Sequence, residues 1–222
     1  IIFDCSVINH FYGVYVQSMY NNTVRNCTFS DNTIGFFFDH SDNNCVSGCL
    51  ITRNEQGVLL YDNCNNNRIT NCTISENTEG LFFRDLSNDN SISQCHISHN
   101  GIGVRLWDAK KNLFFLNTFK DNTNHTESTI SDNLWYTREK INYTLEGVRY
   151  YGYVGNYWDD YQGKDMDGDG LGDQHYEIDE DDDDNFPIMP KETRDDIPGF
   201  EFYALIMILC ALVGVMGKHR HG

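Results

Sequence analysis

Positive charge is scarce in this chain. Sixteen Lys and Arg face thirty-three Asp and Glu, for a net charge of −17 over 222 residues. That balance argues against a nucleic-acid partner, whose phosphates need Lys and Arg. It suits a solvated surface, cation binding or a salty medium. The chain, which opens IIFDCSVINH, also lacks an initiating Met and a charged-then-apolar leader. It reads as the C-terminal part of a longer chain, so the missing signal peptide carries no information. The length allows one sizeable domain plus an appendage.

What is present is a repeat. Gly13, Gly35, Gly57, Gly80 and Gly103 follow one another in steps of 22, 22, 23 and 23 residues. Cys5, Cys27, Cys49, Cys72 and Cys95 keep the same beat, and Asn117 holds the sixth place in that column. Two asparagine columns run alongside: Asn32, Asn54, Asn77, Asn100 and Asn122, then Asn22, Asn44, Asn67, Asn90 and Asn112. A period near 22 sustained this long is the mark of a solenoid. After each glycine comes a short apolar stretch (GVYV, GFFF, GVLL, GLFF, GVRL), too short for a helix and bounded by Asn, Asp and Ser. Two further apolar columns are Val24/Val46/Ile69/Ile92/Phe114 and Val7/Phe29/Ile51/Ile74/Ile97. Three short strands per turn make an all-β parallel β-helix over residues 1–122.

The first and third residues after each glycine are expected to point inward, each side chain contributing roughly 1.5–3 kcal/mol when buried. Corner asparagines are expected to take unusual backbone angles and to hydrogen-bond their counterparts one turn away. The stacked cysteines read as small buried thiols rather than disulfides, because stacked Cβ vectors run parallel. Cys45 and Cys64 fall outside the column.

The aromatic-rich segment 123–190 reads as a cap over the last turn, whose edge is otherwise unpaired. Within it, DMDGDGLGD places Asp165, Asp167, Asp169, the Leu171 carbonyl and Asp173 at calcium-loop spacing. Tyr176 stands where a twelfth-position Glu is usual, so Asp160, Glu177 or Asp179 would have to complete the shell around a structural Ca²⁺. The run EIDEDDDD, 177–184, reads as a solvated linker. A second linker spans 191–201. Residues 202–217 are uncharged, about 24 Å as a helix against a membrane core of about 30 Å. The following KHRH places the C-terminus in the cytoplasm and the solenoid outside, membrane-anchored.

On the outer face, five residues after each glycine, stand Ser18, His40, Asp62, Asp85 and Asp108. One position earlier come Gln17, Asp39, Tyr61, Arg84 and Trp107. Adjacent turns would set Asp62 and Asp85 about 5 Å apart, compatible with paired carboxylates in glycoside chemistry. Tyr61, Arg84 and Trp107 would hold a sugar ring. Against this, Asp after a strand is an ordinary turn residue. An outward column, Tyr15, Phe37, Leu59, Phe82 and Arg105, sets an apolar stripe on a solvent face, and such a stripe must meet something.

The NxIxxNxxGVxL turns, followed by GNYWDDYQGKDMDGDGLGD and NFPIMP, resemble the NosD-like right-handed β-helix proteins that carry the motif of carbohydrate-binding proteins and sugar hydrolases. The resemblance covers roughly residues 1–190. The tail is similar to the PGF-CTERM sorting signal of archaeal surface proteins. It implies processing at Pro198, Gly199 and Phe200, an extracellular, cell-surface location, and glycosylation at the Asn-X-Ser/Thr sites Asn21, Asn26, Asn71, Asn124 and Asn142. Asn26 and Asn71, beside the cysteine column, are the weaker of these. The family's associated role in copper maturation finds little support in the residues, since the histidines are scattered and the methionines form no cluster. Three readings stay open: a non-catalytic glycan-binding, adhesion or envelope protein; a polysaccharide-modifying enzyme using the Asp62/Asp85/Asp108 column; and a copper-maturation accessory.

Overall fold

The computed structural model describes residues 1–189, and within them all regular structure is β. Each turn of chain lays down three strands, and like strands stack in register into three parallel sheets. The first sheet runs from Ile2–Phe3 through Thr23–Arg25, Cys45–Ser47, Arg68–Thr70, Ser91–Ser93 and Lys110–Phe115 to Asp132–Leu134. The second runs from Ser6–Ile8 through Thr28–Ser30, Leu50–Thr52, Thr73–Ser75, His96–Ser98 and Thr118–Lys120 to Tyr157–Trp158. The third holds the strands that follow each glycine: Tyr12–Gln17, Ile34–Asp39, Gln56–Tyr61, Glu79–Arg84, Ile102–Trp107 and Asn124–Thr129. All three sheets extend past residue 122, where the sequence period fades. The parallel solenoid and its 22-residue turn are as the repeat predicts.

The inward columns are buried as expected. Phe36, Val58, Leu60, Leu81, Phe83 and Val104 lose all contact with solvent, as do Phe29, Ile51, Ile74 and Ile97. Glycine recurs because the turns approach too closely there for a side chain. A Cβ on Gly35, Gly57 or Gly80 would come within 2.5–2.7 Å of the carbonyl oxygen of the next glycine in the column.

The asparagine columns act as hydrogen-bond ladders. Along one, the backbone N–H of Asn22 donates to Asn44 Oδ1, and the relay continues through Asn67, Asn90, Asn112 and Asn133 at 2.8–3.0 Å. A second runs from His10 through Asn32, Asn54, Asn77 and Asn100 to Asn122. The cysteine column becomes a third where Asn replaces thiol, from Cys95 to Asn117 to Asn156. Each bond contributes about 1 kcal/mol net, but a buried N–H left unpaired costs about 1–3 kcal/mol.

One expectation about the corners is corrected. The ladder asparagines do not carry the left-handed backbone; the residue before each does. Asp31, Arg53, Glu76, His99 and Asp121 precede one ladder, and Asn21, Asn43, Asn66, Asp89 and Lys111 the other, all with φ between 53° and 60°. The ladder residue must aim its amide along the axis, so the sharp bend falls one position earlier, where the side chain points outward. That is why Arg, Glu and Lys occupy angles that they rarely adopt.

Towards the C-terminal end, rings replace aliphatic side chains in the core. Phe114 stacks on Trp135 at 4.2 Å, and Phe119, Trp158 and Tyr176 form a continuous pile with centroids 4.1 and 4.3 Å apart. Beside them Ile141–Leu145 and Val148–Gly152 form an antiparallel hairpin.

The acidic run is not the solvated linker that its composition suggests. Asp182 and Asp184 are buried, and each terminates a ladder. Asp182 accepts the Asn133 N–H on both oxygens at 3.0 Å. Asp184 accepts the Asn156 N–H at 2.7 Å, Trp158 Nε1–H at 3.0 Å and the Phe186 N–H at 3.0 Å. A ladder of one polarity ends in donors with no further asparagine to meet, and a carboxylate is a side chain that only accepts. Burial pushes Asp182 up to about 6 and Asp184 up to about 7, against the donors that favour their charge.

Candidate functional site

The outer face of the third sheet gathers most of the chemistry-bearing residues. Strand alternation turns Tyr15, Phe37, Leu59, Phe82 and Arg105 outward between the buried pairs, and register stacks them one turn apart. In the first two turns this column is aromatic, with Tyr15 exposed and Phe37 half-buried. Tyr12 stacks on Tyr15 at 5.2 Å, Tyr15 on Phe37 at 4.8 Å, and Phe37 lies 6.3 Å from Tyr61. Further along, Leu59 and Phe82 are buried although they face outward: they cluster with Ile34, Phe37 and Tyr61, and Arg84 and Arg105 lie across Phe82, each 5.8 Å from its ring. Arg84 also stands 5.0 Å over Tyr61, a cation–π contact. The predicted group of Tyr61, Arg84 and Trp107 is thus in contact at its first two members. Trp107 pairs with Arg84 across the sheet and is exposed.

Beside the aromatic stack lies a hydrogen-bonded chain that composition did not signal. Tyr15 Oη donates to Asp39 Oδ2 at 2.6 Å, and Gln17 Nε2 donates to the same oxygen at 3.0 Å. His40 Nδ1 lies 2.6 Å from Asp39 Oδ1 and its Nε2 lies 3.0 Å from Asp62 Oδ2. Both ring nitrogens face carboxylates, an arrangement that favours the doubly protonated, charged ring. Its bond to Asp39 accordingly raises the His40 pKa. Burial works against the charge of Asp39, but Tyr15, His40 and Gln17 together hold it below the usual carboxylate range. The same bond pushes Tyr15 up to about 12. The signal for this chain lay in the register: a step of 22 places Gln17 and Asp39 side by side.

The aspartates of the corner column occupy left-handed backbone, with φ of 54° at Asp62, 53° at Asp85 and 50° at Asp108. They sit there as turn residues. Their carboxylates face different partners: Asp62 faces His40 and Asn63, and Asp85 faces Arg84 at 2.8 Å.

In the cap, Asp165, Asp167 and Asp169 bring one carboxylate oxygen each within 4.8 Å of one another. Gly168 and Gly170 adopt φ of 79° and 87°, which their lack of a Cβ permits. The loop is also wound by its own side chains. Asp165 accepts the N–H groups of Gly168 and Gly170, Asp169 that of Leu171, and Asp173 that of Met166. Burial, followed by Asp167, Asp165 and Asp173, raises the Asp169 pKa. Of the suggested completing ligands, Asp179 accepts the N–H groups of Asp181 and Asp182. Asp160 instead lies with His125 and Asp159.

That second cluster is set by the ladder. Asn122 Oδ1 accepts from Asn100, and its Nδ2 donates to the Ile97 carbonyl, which leaves its other N–H aimed at His125 Nδ1, 3.2 Å away. His125 therefore accepts at Nδ1 and donates from Nε2 to Asp159 at 2.8 Å. A metal at Nε2 would require the opposite tautomer, so the group is a clamp between solenoid and cap rather than a metal site.

Asn21, Asn26, Asn71, Asn124 and Asn142 are all exposed. Pro198, Gly199, Phe200 and the uncharged run 202–217 lie outside the described residues. Among the described residues no helix is long and apolar enough to cross a membrane.

Comparison with protein-family models matches residues 1–163 to the family described as "Periplasmic copper-binding protein (NosD)". Neither a curated protein nor a solved structure matches the chain. The described residues do not suit copper. Of their clusters of three or more potential ligands, none contains two histidines or a thiol. The column thiols are engaged as donors: Cys27, Cys49, Cys72 and Cys95 each bond the carbonyl two residues back at 3.2–3.4 Å. Burial pushes Cys5 and Cys64 up to about 11, far from the thiolate that a soft metal binds.

Proposed function

The chain belongs to the NosD family, a parallel β-helix family described as periplasmic, and on that premise we propose that it is a non-catalytic glycan-binding protein of the cell envelope. The observation that carries this reading is the aromatic stack of Tyr12, Tyr15 and Phe37, exposed at its two tyrosines, with Tyr61 tilted beside it and Gln17, Asp39, His40 and Asp62 along its margin. Flat rings bearing a polar margin suit sugars, which present apolar faces and hydroxyl edges. Hydrolysis is less well supported, because Asp62 and Asp85 each face a different partner rather than a shared space. The family description's copper has no fitting ligand set among the described residues, and no step is assigned to it.

A structural Ca²⁺ at Asp165, Asp167 and Asp169, with the Leu171 carbonyl and Asp173, accompanies this reading and would hold the cap. The run 202–217 would anchor the chain at the surface. The test is retention of the full chain on insoluble polysaccharides, with and without calcium, beside Tyr15→Ala and Tyr61→Ala. Loss in both variants, with unchanged thermal unfolding, is the expected result. Undiminished retention in both would remove the stack from any binding role.

A further inference from the structure

We propose that the aromatic face selects amino-bearing glycans, whose ammonium groups it takes beside Asp62 and Asp108, and turns away uronate or sulfate polymers; this rests on the glycan-binding reading above. Recognition of an anionic sugar favours a cation that has no acidic partner, and each cation on this face is already paired with a carboxylate. His40 is held between Asp39 and Asp62 at 2.6 and 3.0 Å. Arg84 Nε lies 2.8 Å from Asp85, and Arg105 lies between Glu79 at 3.1 Å and Glu127 at 3.0 Å.

Acids remain in excess. Asp39, Asp62, Asp85, Asp108, Glu79 and Glu127 meet only those three cations, and Asp108 has no cation beside it among the described residues. The net charge of −17 has the same sign and repels polyanions at a distance. An ammonium group lying over Phe37 or Tyr61 would gain attraction to the ring face as well as to the neighbouring carboxylates. The strand of Gln56–Tyr61 puts Gln56 on Glu79 at 2.8 Å, so the opposite edge of the stripe is acidic too.

The probes are chitosan oligomers, their fully N-acetylated counterparts and polygalacturonate, offered to the full chain. Chitosan should bind about tenfold more tightly than the N-acetylated form, a difference of about 1.4 kcal/mol. Polygalacturonate should not bind. Asp62→Asn with Asp108→Asn should bring chitosan binding down to that of the N-acetylated oligomer measured on the same variant. Equal binding of the two oligomers, or binding of polygalacturonate, would overturn the selectivity and leave the glycan reading standing. Chitosan binding that persists in Tyr15→Ala with Tyr61→Ala would be bulk charge attraction and would overturn it as well. Binding of none of the three probes by a folded chain would sink both this selectivity and the reading on which it rests.

Discussion

Replacing Asp184 by Asn sets burial against hydrogen bonding at the closed end of the solenoid. Four N–H donors converge on this carboxylate: Asn156 N and Nδ2, Trp158 Nε1 and Phe186 N. Burial nevertheless raises its pKa from 3.8 to about 7. The folded chain then holds the proton more tightly than the unfolded chain does. Stabilisation from this group is complete below about pH 4 and is lost as pH rises through about 7. A shift of roughly three units corresponds to ~4 kcal/mol across that window. In Asp184→Asn the amide oxygen still accepts from Asn156 and Trp158, but an NH₂ now faces the Phe186 N–H, at a cost of about 1–3 kcal/mol. The variant should therefore be less stable than the parent at pH 4.5, and the deficit should shrink and then reverse by pH 8.5. Urea unfolding of the full chain, followed by the fluorescence of buried Trp135 and Trp158, measures both curves. Asp182, present in both chains, cancels from the difference. A gap that is constant with pH, or one that widens as pH rises, would show that the donors outweigh burial and that Asp184 stays charged.

Three other outcomes follow from the same geometry. Ile130 is a β-branched residue at φ 55° and is exposed, so Ile130→Asn should raise stability by about 1 kcal/mol in a thermal melt; no gain would deny the strain. Gly57→Ala sets a methyl 2.5 Å from the Gly80 carbonyl oxygen and should cost several times the ~1 kcal/mol of an ordinary core adjustment, seen as a lower denaturant midpoint. A cost near zero would mean that the turns separate easily. Asn77→Leu leaves the Asn54 N–H without its acceptor, so roughly 1–3 kcal/mol should be lost, with amide exchange quickening at Asn54 first.

Much of this molecule was legible before any coordinates. A 22-residue beat of Gly, Cys and Asn leads to a parallel solenoid, because each turn buries its apolar side chains only against like turns. The buried columns and the ladders were assigned from spacing alone, and the same spacing brings Asp165, Asp167 and Asp169 together. The aromatic stripe was also visible as a column. Its meaning was not, because openness depends on which neighbour lies across it. Arg84 and Arg105 cover Phe82, while among the described residues nothing comparable covers Tyr12 and Tyr15.

Other features rest on contacts that no local pattern announces. His125 meets Asp159 across 34 residues, and the acidic run returns across 49 residues to end a ladder at Asn133. Composition marks an acidic stretch as solvated, since isolated carboxylates resist burial. Only the tertiary structure shows that the ladders run with one polarity and finish in unpaired N–H groups, which is where a buried acceptor belongs. Repetition along the chain determined the solenoid; the direction of its hydrogen bonds in space decided what closes it.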